Sequence, residues 1–71
     1  MTVEAQLALS RREMEVAELV ARALNNSEIA RSLCVSEHTV KHHMSRIFLK
    51  LRLRDREALI VWWWSKIRNA D

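Results

Sequence analysis

Apolar residues recur at three- and four-residue spacing along most of this chain, a period typical of α-helices. The pattern is clearest between residues 36 and 51, where apolar and polar positions fall on opposite sides at about 100° per residue. The apolar side consists of Val40, Met44, Ile47 and Leu51. The opposite side consists of His38, His42, Ser45 and Arg46, with Lys41 at its edge. The apolar side is suited to burial in a core, and the polar side is suited to contact with a partner molecule.

Capping residues divide the chain into four helices. Ser10 with Glu13, and Asn25 with Glu28, have the spacing of a capping box. Ser36 and Asp55 are further N-cap residues. The predicted helices span residues 11–23, 26–33, 37–52 and 56–68. The chain contains no Gly and no Pro, so we expect an all-α four-helix bundle without strands.

The second and third predicted helices have the spacing of a helix-turn-helix. The second is barely two turns long and is followed by a three-residue turn at 34–36. Ala30 supplies the small side chain that a close helix crossing needs. Cys34 falls where a left-handed turn more often has Gly. A plain helical hairpin shares this spacing, so the pattern alone does not decide between the two.

Length and composition restrict the class of protein. A chain of 71 residues has room for one small domain, which we place at 9–71 after a flexible lead-in at 1–8. The longest apolar run, residues 58–64, is far shorter than the roughly 18 residues of a membrane span. We find no signal peptide, and a single cysteine gives no internal disulfide. We therefore expect a cytoplasmic protein without membrane contact.

Positive charge is concentrated on one segment. The net charge is +3, and residues 36–54 contain five Lys and Arg against one Glu. This is the distribution expected when phosphate contacts lie on one element, although a solvated basic helix looks similar. On the first helix, Glu13, Glu15 and Glu18 predict an acidic outer face, which leaves Arg11 and Arg12 as its only candidates for backbone contacts.

The fourth predicted helix has apolar residues on both sides. One side carries Leu59, Ile60, Trp63 and Ile67. The other carries Ala58, Val61, Trp62 and Ser65. Because so small a monomer offers no second core, the second group predicts a homodimer interface. The alternative is that Trp62 is simply exposed or covers the N-terminal tail.

Several segments together resemble the DNA-binding domain of the LuxR/NarL (GerE-type) family of bacterial transcription regulators. In the first two helices they are LSRRE at 9–13, Val16, NSEIA at 26–30 and Leu33. From the turn onward they are VSEHTVKHH at 35–43, Ile47, Lys50, Leu51 and Arg56. Two positions depart from the family, which usually has Gly at Ala23 and often Leu at Ala17. These departures predict a different bend between the first two helices.

The resemblance implies a function and assigns residues to it. The third helix would enter the major groove of double-stranded DNA and the fourth would dimerise, usually beside a receiver or ligand-sensing domain. Positions that contact bases would be Lys41, His42 and Ser45, with Arg46 and His38 as further candidates. Positions that approach the DNA backbone would be Asn26, Thr39, His43 and Lys50. RNA polymerase would be a further partner, and no cofactor is implied.

The base contacts also agree with simple chemistry. Lys41 can donate to guanine O6 or N7, a neutral His42 can donate or accept, and the short Ser45 suits permissive readout. Each good pairing discriminates by about 1–3 kcal/mol, so one domain alone would be modestly specific. A dimer reading two half-sites would increase the specificity.

Three other interpretations of these residues compete with DNA binding. Cys34, His38 and His42 are close enough in sequence for a zinc site, but no fourth ligand is evident. A nucleophilic Cys34–His pair is disfavoured, because a small turn cysteine with apolar neighbours usually serves packing. We therefore predict no metal site, no catalytic residues and no enzyme activity. The serious alternative is a protein–protein adaptor that uses the tryptophan-rich fourth helix and does not bind DNA.

Overall fold

The computed structural model describes residues 9–68, apart from the side chain of Ile67, and contains four α-helices and no strand in that range. The helices are α1 (Arg11–Ala21), α2 (Asn26–Leu33), α3 (Glu37–Leu51) and α4 (Arg56–Arg68). The all-α prediction is confirmed. The predicted lead-in at 1–8 lies outside the described residues. No helix within them has the length and apolarity that crossing a membrane requires.

Each helix begins at the predicted cap. The capping box of α1 is complete: the Glu13 N–H donates to Ser10 Oγ at 3.1 Å and the Ser10 N–H donates to Glu13 Oε1 at 2.9 Å. The same reciprocal pair joins Asn25 and Glu28 at the start of α2, with both distances 2.8 Å. At α3 and α4 the caps are Ser36, which accepts from the Thr39 N–H, and Asp55, which accepts from the Ala58 N–H. Side-chain oxygens thus satisfy donors that helix starts leave unpaired.

Two helices end earlier than predicted. The first ends at Ala21 instead of residue 23, and the third ends at Leu51 instead of residue 52. The reason is a left-handed residue after each end, Ala23 with φ 70° and Arg52 with φ 57°. Alanine at position 23 adopts the left-handed conformation that Gly favours; the different bend of this corner stays a prediction.

The core lies between α1 and its neighbours. Helix α1 packs against both α3 and α4, and α2 packs against α3. Side chains with no exposed surface come from all four helices: Val16, Val20, Ile29, Val40, Ile47 and Leu59. Ala17, one of the departures from the family pattern, is also fully buried. The short α2 has no core of its own, so its position depends on α1 and α3.

Candidate nucleic-acid interface

The turn between α2 and α3 holds the two helices in a helix-turn-helix. Cys34 adopts the left-handed conformation with φ 58°, and the Val35 N–H reaches back to the Ala30 carbonyl at 3.0 Å. Ala30 is 6% exposed, which agrees with a close crossing that only a small side chain permits. The chain then turns at Ser36 and starts α3. The predicted helix-turn-helix is therefore present.

The two sides of α3 are separated as the periodicity predicts. Val40, Met44 and Ile47 are buried against the core, and Leu51 packs against it half-buried. The opposite side is exposed over the whole length of the helix. We call this side the exposed ridge, and it consists of His38, His42, Ser45 and Leu49. The predicted base-contacting residue Lys41 is also exposed, at the edge of the ridge.

Glu13 is not on an acidic outer face, and that prediction was wrong for this residue. Its side chain is only 2% exposed, and it lies beneath α3. Glu13 Oε1 accepts from Lys50 Nζ at 2.7 Å, and Glu13 Oε2 accepts from Arg46 Nε at 3.0 Å. Glu15 and Glu18 stay at the surface, in ion pairs with Arg12 and Arg22. The acidic face of α1 is therefore smaller than the sequence suggested.

These contacts keep the Glu13 carboxylate charged. Burial by itself raises the pKa of this group, but hydrogen bonds from Lys50, the Ser10 N–H and Arg46 lower the pKa from 4.5 to about 2. One buried anion thus faces two cations, and the cluster keeps a net positive charge. Because the carboxylate fixes both cations, it also joins the start of α1 to the second half of α3.

Arg46 and Lys50 differ in their exposure and in the group that bonds to Glu13. Arg46 is 53% exposed and bonds to Glu13 through Nε, an atom that lies behind the two terminal amino groups of the guanidinium. Lys50 is 31% exposed and uses its single ammonium group on Glu13. Both lie at the edge of α3 beside the ridge, on the side of α1. Both residues were predicted to contact DNA, but the carboxylate that holds them was not predicted.

The other predicted backbone contacts, Thr39, His43 and Asn26, are half-buried. Thr39 Oγ1 lies 3.0 Å from Ser36 Oγ at the start of α3. The ring of His43 places Nδ1 in the protein interior, where no described group forms a hydrogen bond with it. Asn26, at the start of α2, accepts from Arg56 Nη1 at 2.9 Å. Thr39 and His43 therefore lie on the side of α3 that carries Arg46 and Lys50, whereas Asn26 lies at the start of α2 and is bonded to α4.

Arg56 links the interface to α4. Besides Asn26, its guanidinium donates to the Leu24 carbonyl in the corner between α1 and α2 and contacts the Met44 sulfur. The side chain thus joins the first residue of α4 to a loop and to the underside of α3. This contact network was not predicted, although Arg56 was one of the residues that carried the resemblance.

The three tryptophans of α4 have three different surroundings. Trp63 is in the core with 7% exposure, and Trp62 packs half-buried beside it, with their ring centroids 6.4 Å apart. Trp64 is 45% exposed, and its Nε1–H donates to the Ala21 carbonyl at the end of α1. The expectation that Trp62 has no core to pack on was wrong. Of the predicted dimer residues, Val61 and Ser65 are exposed, and Ala58 and Trp62 are half-buried.

In the described part of the chain, no three His, Cys, Asp or Glu side chains are grouped closely enough to hold a metal ion. Cys34 is exposed and has a free thiol.

Comparison with known proteins identifies the family. Residues 7–63 match the family described as bacterial regulatory proteins, luxR family. The transcriptional regulatory protein LnrK of Bacillus subtilis (strain 168) is 45% identical over 56 residues, which cover 79% of this chain and 26% of LnrK. The response regulator protein VraR of Staphylococcus aureus (strain NCTC 8325 / PS 47) is 39% identical over 54 residues, which cover 76% of this chain and 26% of VraR.

A third relative extends the match further along the chain. The uncharacterized transcriptional regulatory protein YxjL of Bacillus subtilis (strain 168) is 43% identical over 61 residues, which cover 86% of this chain and 27% of YxjL. This chain therefore spans about a quarter of the length of the relatives it matches. The family match, the relatives and the helix-turn-helix agree, and the chain belongs to the luxR family of bacterial regulatory proteins.

Proposed function

We propose that this chain binds double-stranded DNA sequence-specifically as the DNA-binding part of a transcription regulator, with α3 in the major groove. The exposed ridge of α3 carries the proposal, because it presents hydrogen-bonding side chains and no carboxylate along a helix whose other side packs against the core. A helix of this diameter fits the major groove, where each base pair shows a distinct pattern of donors and acceptors. The named relatives are regulators, which supports the same function.

The base-reading group consists of Lys41, His42 and Ser45, with His38 and Arg46 beside them. All five are exposed. Lys41 suits guanine, and His42 and Ser45 accept more than one base edge. Arg46 bonds to Glu13 through Nε, so its terminal amino groups are the atoms that would reach DNA from the edge of α3.

The backbone-contacting group consists of Asn26, Thr39, His43 and Lys50. They lie at the edge of α3 and at the start of α2, where phosphates would flank a helix in the groove. The buried Nδ1 of His43 has no hydrogen-bond partner among the described groups, so Nε2 is the ring atom that would contact a phosphate. Helix starts add unpaired N–H groups that favour phosphate.

We also propose a two-fold dimer through α4, centred between Val61 and Trp64. Among the described side chains of α4, these are the exposed large apolar ones, at 65% and 45%. Glu57 and Arg68 lie on the same side of the helix, equally far from the same centre. An antiparallel two-fold pairing would therefore place Val61 against Trp64 and Glu57 against Arg68 of the second copy.

The adaptor interpretation depends on how much of the tryptophan-rich helix is available to a partner. Trp63 is in the core and Trp62 is half-buried, so neither offers a fully exposed ring. What α4 presents is a small patch that consists of Val61 and the 45% exposed Trp64. We assign this patch to a second copy of the chain. DNA binding also gives the exposed ridge of α3 a role, whereas the adaptor interpretation gives it none.

The test is a binding titration on duplex DNA selected from a random pool. If Lys50, the cation of the backbone-contacting group, displaces one phosphate counterion, affinity falls roughly threefold between about 50 and 200 mM salt, and each further phosphate contact makes the fall steeper. Lys41→Ala and His42→Ala each weaken binding to the selected site by about 1–3 kcal/mol, because each removes a base contact.

Arg22→Ala is the matched control. It removes the same charge as Lys41→Ala, from the end of α1 far from Glu13, and leaves affinity unchanged. Binding that is insensitive to salt, or equally reduced by all three variants, contradicts the proposal and favours the adaptor.

A further inference from the structure

Leu49 is the one apolar residue of the exposed ridge. Its side chain is 79% exposed, more than that of Val61 or Trp64. Phe48 and every aliphatic residue of α3 other than Leu49 are buried or pack half-buried against the core. Helix packing therefore does not explain Leu49.

Its position on α3 places it among the base-reading residues. Leu49 follows Val40 by nine residues, so at about 100° per residue it points directly away from the buried Val40. It lies one turn beyond Ser45 on the line that includes His42. A helix that presents His42 and Ser45 to base edges presents Leu49 to the same groove. The resemblance assigns no role to this position.

The major groove offers few apolar partners. Base edges there consist of hydrogen-bond donors and acceptors, together with the C5 methyl group of thymine. Leucine has no donor or acceptor, so polar base edges would lose hydration beside it without gaining a bond. The methyl group gains from the contact, because both apolar surfaces leave water.

We propose that Leu49 reads thymine in the bound DNA through contact with the C5 methyl group. This inference rests on the proposed function. Four residues of helix span about 6 Å, so the thymine lies roughly two base pairs from the pair that Ser45 contacts. Leu49 thus adds an apolar preference to the polar readout of Lys41 and His42, at the far end of the ridge.

The test replaces thymine by deoxyuridine, which keeps the base pair and removes only the methyl group. In a duplex selected from a random pool, each thymine is replaced in turn, and the affinity of the wild-type chain and of Leu49→Ala is measured. At one thymine in each half-site, the wild-type chain loses roughly fourfold in affinity, the value of one buried methyl group. The Leu49→Ala variant binds the thymine duplex more weakly than the wild-type chain does, and its affinity does not change when that thymine is replaced.

Two controls accompany this comparison. Leu49→Met keeps an apolar side chain of similar size and remains sensitive to the methyl group. Arg22→Ala removes an exposed side chain at the end of α1, away from the ridge, and keeps the wild-type response. Leu49 is exposed, so its variants keep the thermal stability of the wild-type chain, and a melting curve verifies this.

The results separate this inference from the proposed function. If Lys41→Ala weakens binding but no thymine replacement affects the wild-type chain, the DNA-binding proposal stands and the Leu49 inference is wrong. The inference is also wrong if the affinity of Leu49→Ala still depends on the methyl group. It is wrong as well if this substitution lowers the affinity for the thymine duplex and for the deoxyuridine duplex by the same factor. If no sequence is selected from the pool and binding does not depend on salt, both proposals fail.

Discussion

At the scale of single residues, Glu13 is where charge and position are most closely connected. Its carboxylate is buried, caps α1 and holds two cations of α3. A buried anion is stable only when it is paired and hydrogen-bonded. Glu13 therefore acts on the interface from beneath, by setting where Arg46 and Lys50 lie.

Replacing Glu13 by Gln keeps the size of the side chain and removes its charge. We expect the free energy of unfolding at pH 7 to fall by about 2 kcal/mol, because two charged hydrogen bonds are weakened and two cations lose their counterion. Urea denaturation measures this. Glu15→Gln, at an exposed ion pair with Arg12, costs less than about 0.5 kcal/mol.

The same contact predicts a pH dependence. The pKa of Glu13 is lowered by folding from 4.5 to about 2, so its stabilisation is complete above pH 4.5 and is lost as pH falls to 2. The difference in stability between the wild-type chain and Glu13→Gln should therefore shrink over this interval. A difference that stays constant from pH 7 to pH 2 contradicts the role of the carboxylate.

At the scale of helices, α1, α2 and α3 end in the same way, with a left-handed residue that is not Gly. This residue is Ala23 after α1, Cys34 after α2 and Arg52 after α3. The next residue in each case donates its N–H back into the helix: Leu24 to Leu19, Val35 to Ala30 and Leu53 to Phe48. Leu24, Val35 and Leu53 are all apolar and half-buried against the core. Their burial offsets the cost of the left-handed conformation, as in the Schellman motif.

This design predicts that Ala23→Gly stabilises the chain. A left-handed L-residue costs about 1–2 kcal/mol relative to its usual conformation, and part of the gain is offset by the flexibility that Gly adds to the unfolded chain. We expect a net gain of about 0.5–1 kcal/mol, seen as a higher melting temperature.

Ala58→Gly is the matched control, since residue 58 has ordinary helical geometry in α4. It should destabilise by up to about 1 kcal/mol. If both substitutions lower the melting temperature, the strain assigned to Ala23 is wrong.

At the scale of the whole molecule, α1 connects the two exposed surfaces. It packs against α3, which carries the ridge, and against α4, which carries Val61 and Trp64. Trp64 also bonds to the last carbonyl of α1. The separation of the two ridges in the proposed dimer is thus set by rigid packing, which is what reading two half-sites at fixed spacing requires.

The antiparallel pairing of α4 predicts a charge-swap result. In a two-fold dimer the contact between residues 57 and 68 occurs twice, so Glu57→Arg or Arg68→Glu alone creates two pairs of like charges. We expect each single substitution to weaken dimer formation on two-half-site DNA by about 1 kcal/mol, roughly fivefold. The double substitution exchanges the charges and restores the dimer. Sedimentation of the protein–DNA complex measures the stoichiometry. If the double variant is weaker than either single one, the pairing is wrong, although binding of one domain to DNA is untouched.

Local sequence is sufficient to assign the starts of all four helices and the two sides of α3. Both depend on contacts within about four residues, such as the bonds from Ser10 to Glu13 and from Asn25 to Glu28, or on the helical period, which is the same everywhere in a chain. For that reason the buried position of Val40 and the exposed position of His42 were predicted correctly from periodicity.

Which distant groups bond to each other depends on the packing of the helices. Glu13 and Arg46 are 33 residues apart, Leu24 and Arg56 are 32 apart, and Ala21 and Trp64 are 43 apart. No local spacing encodes such pairs, because they form only when whole helices come together. The same packing gave Trp62 a place against the core that the helical period alone did not reveal. Local hydrogen bonding and periodicity thus determine the helices, and packing between them determines the electrostatics of the interface.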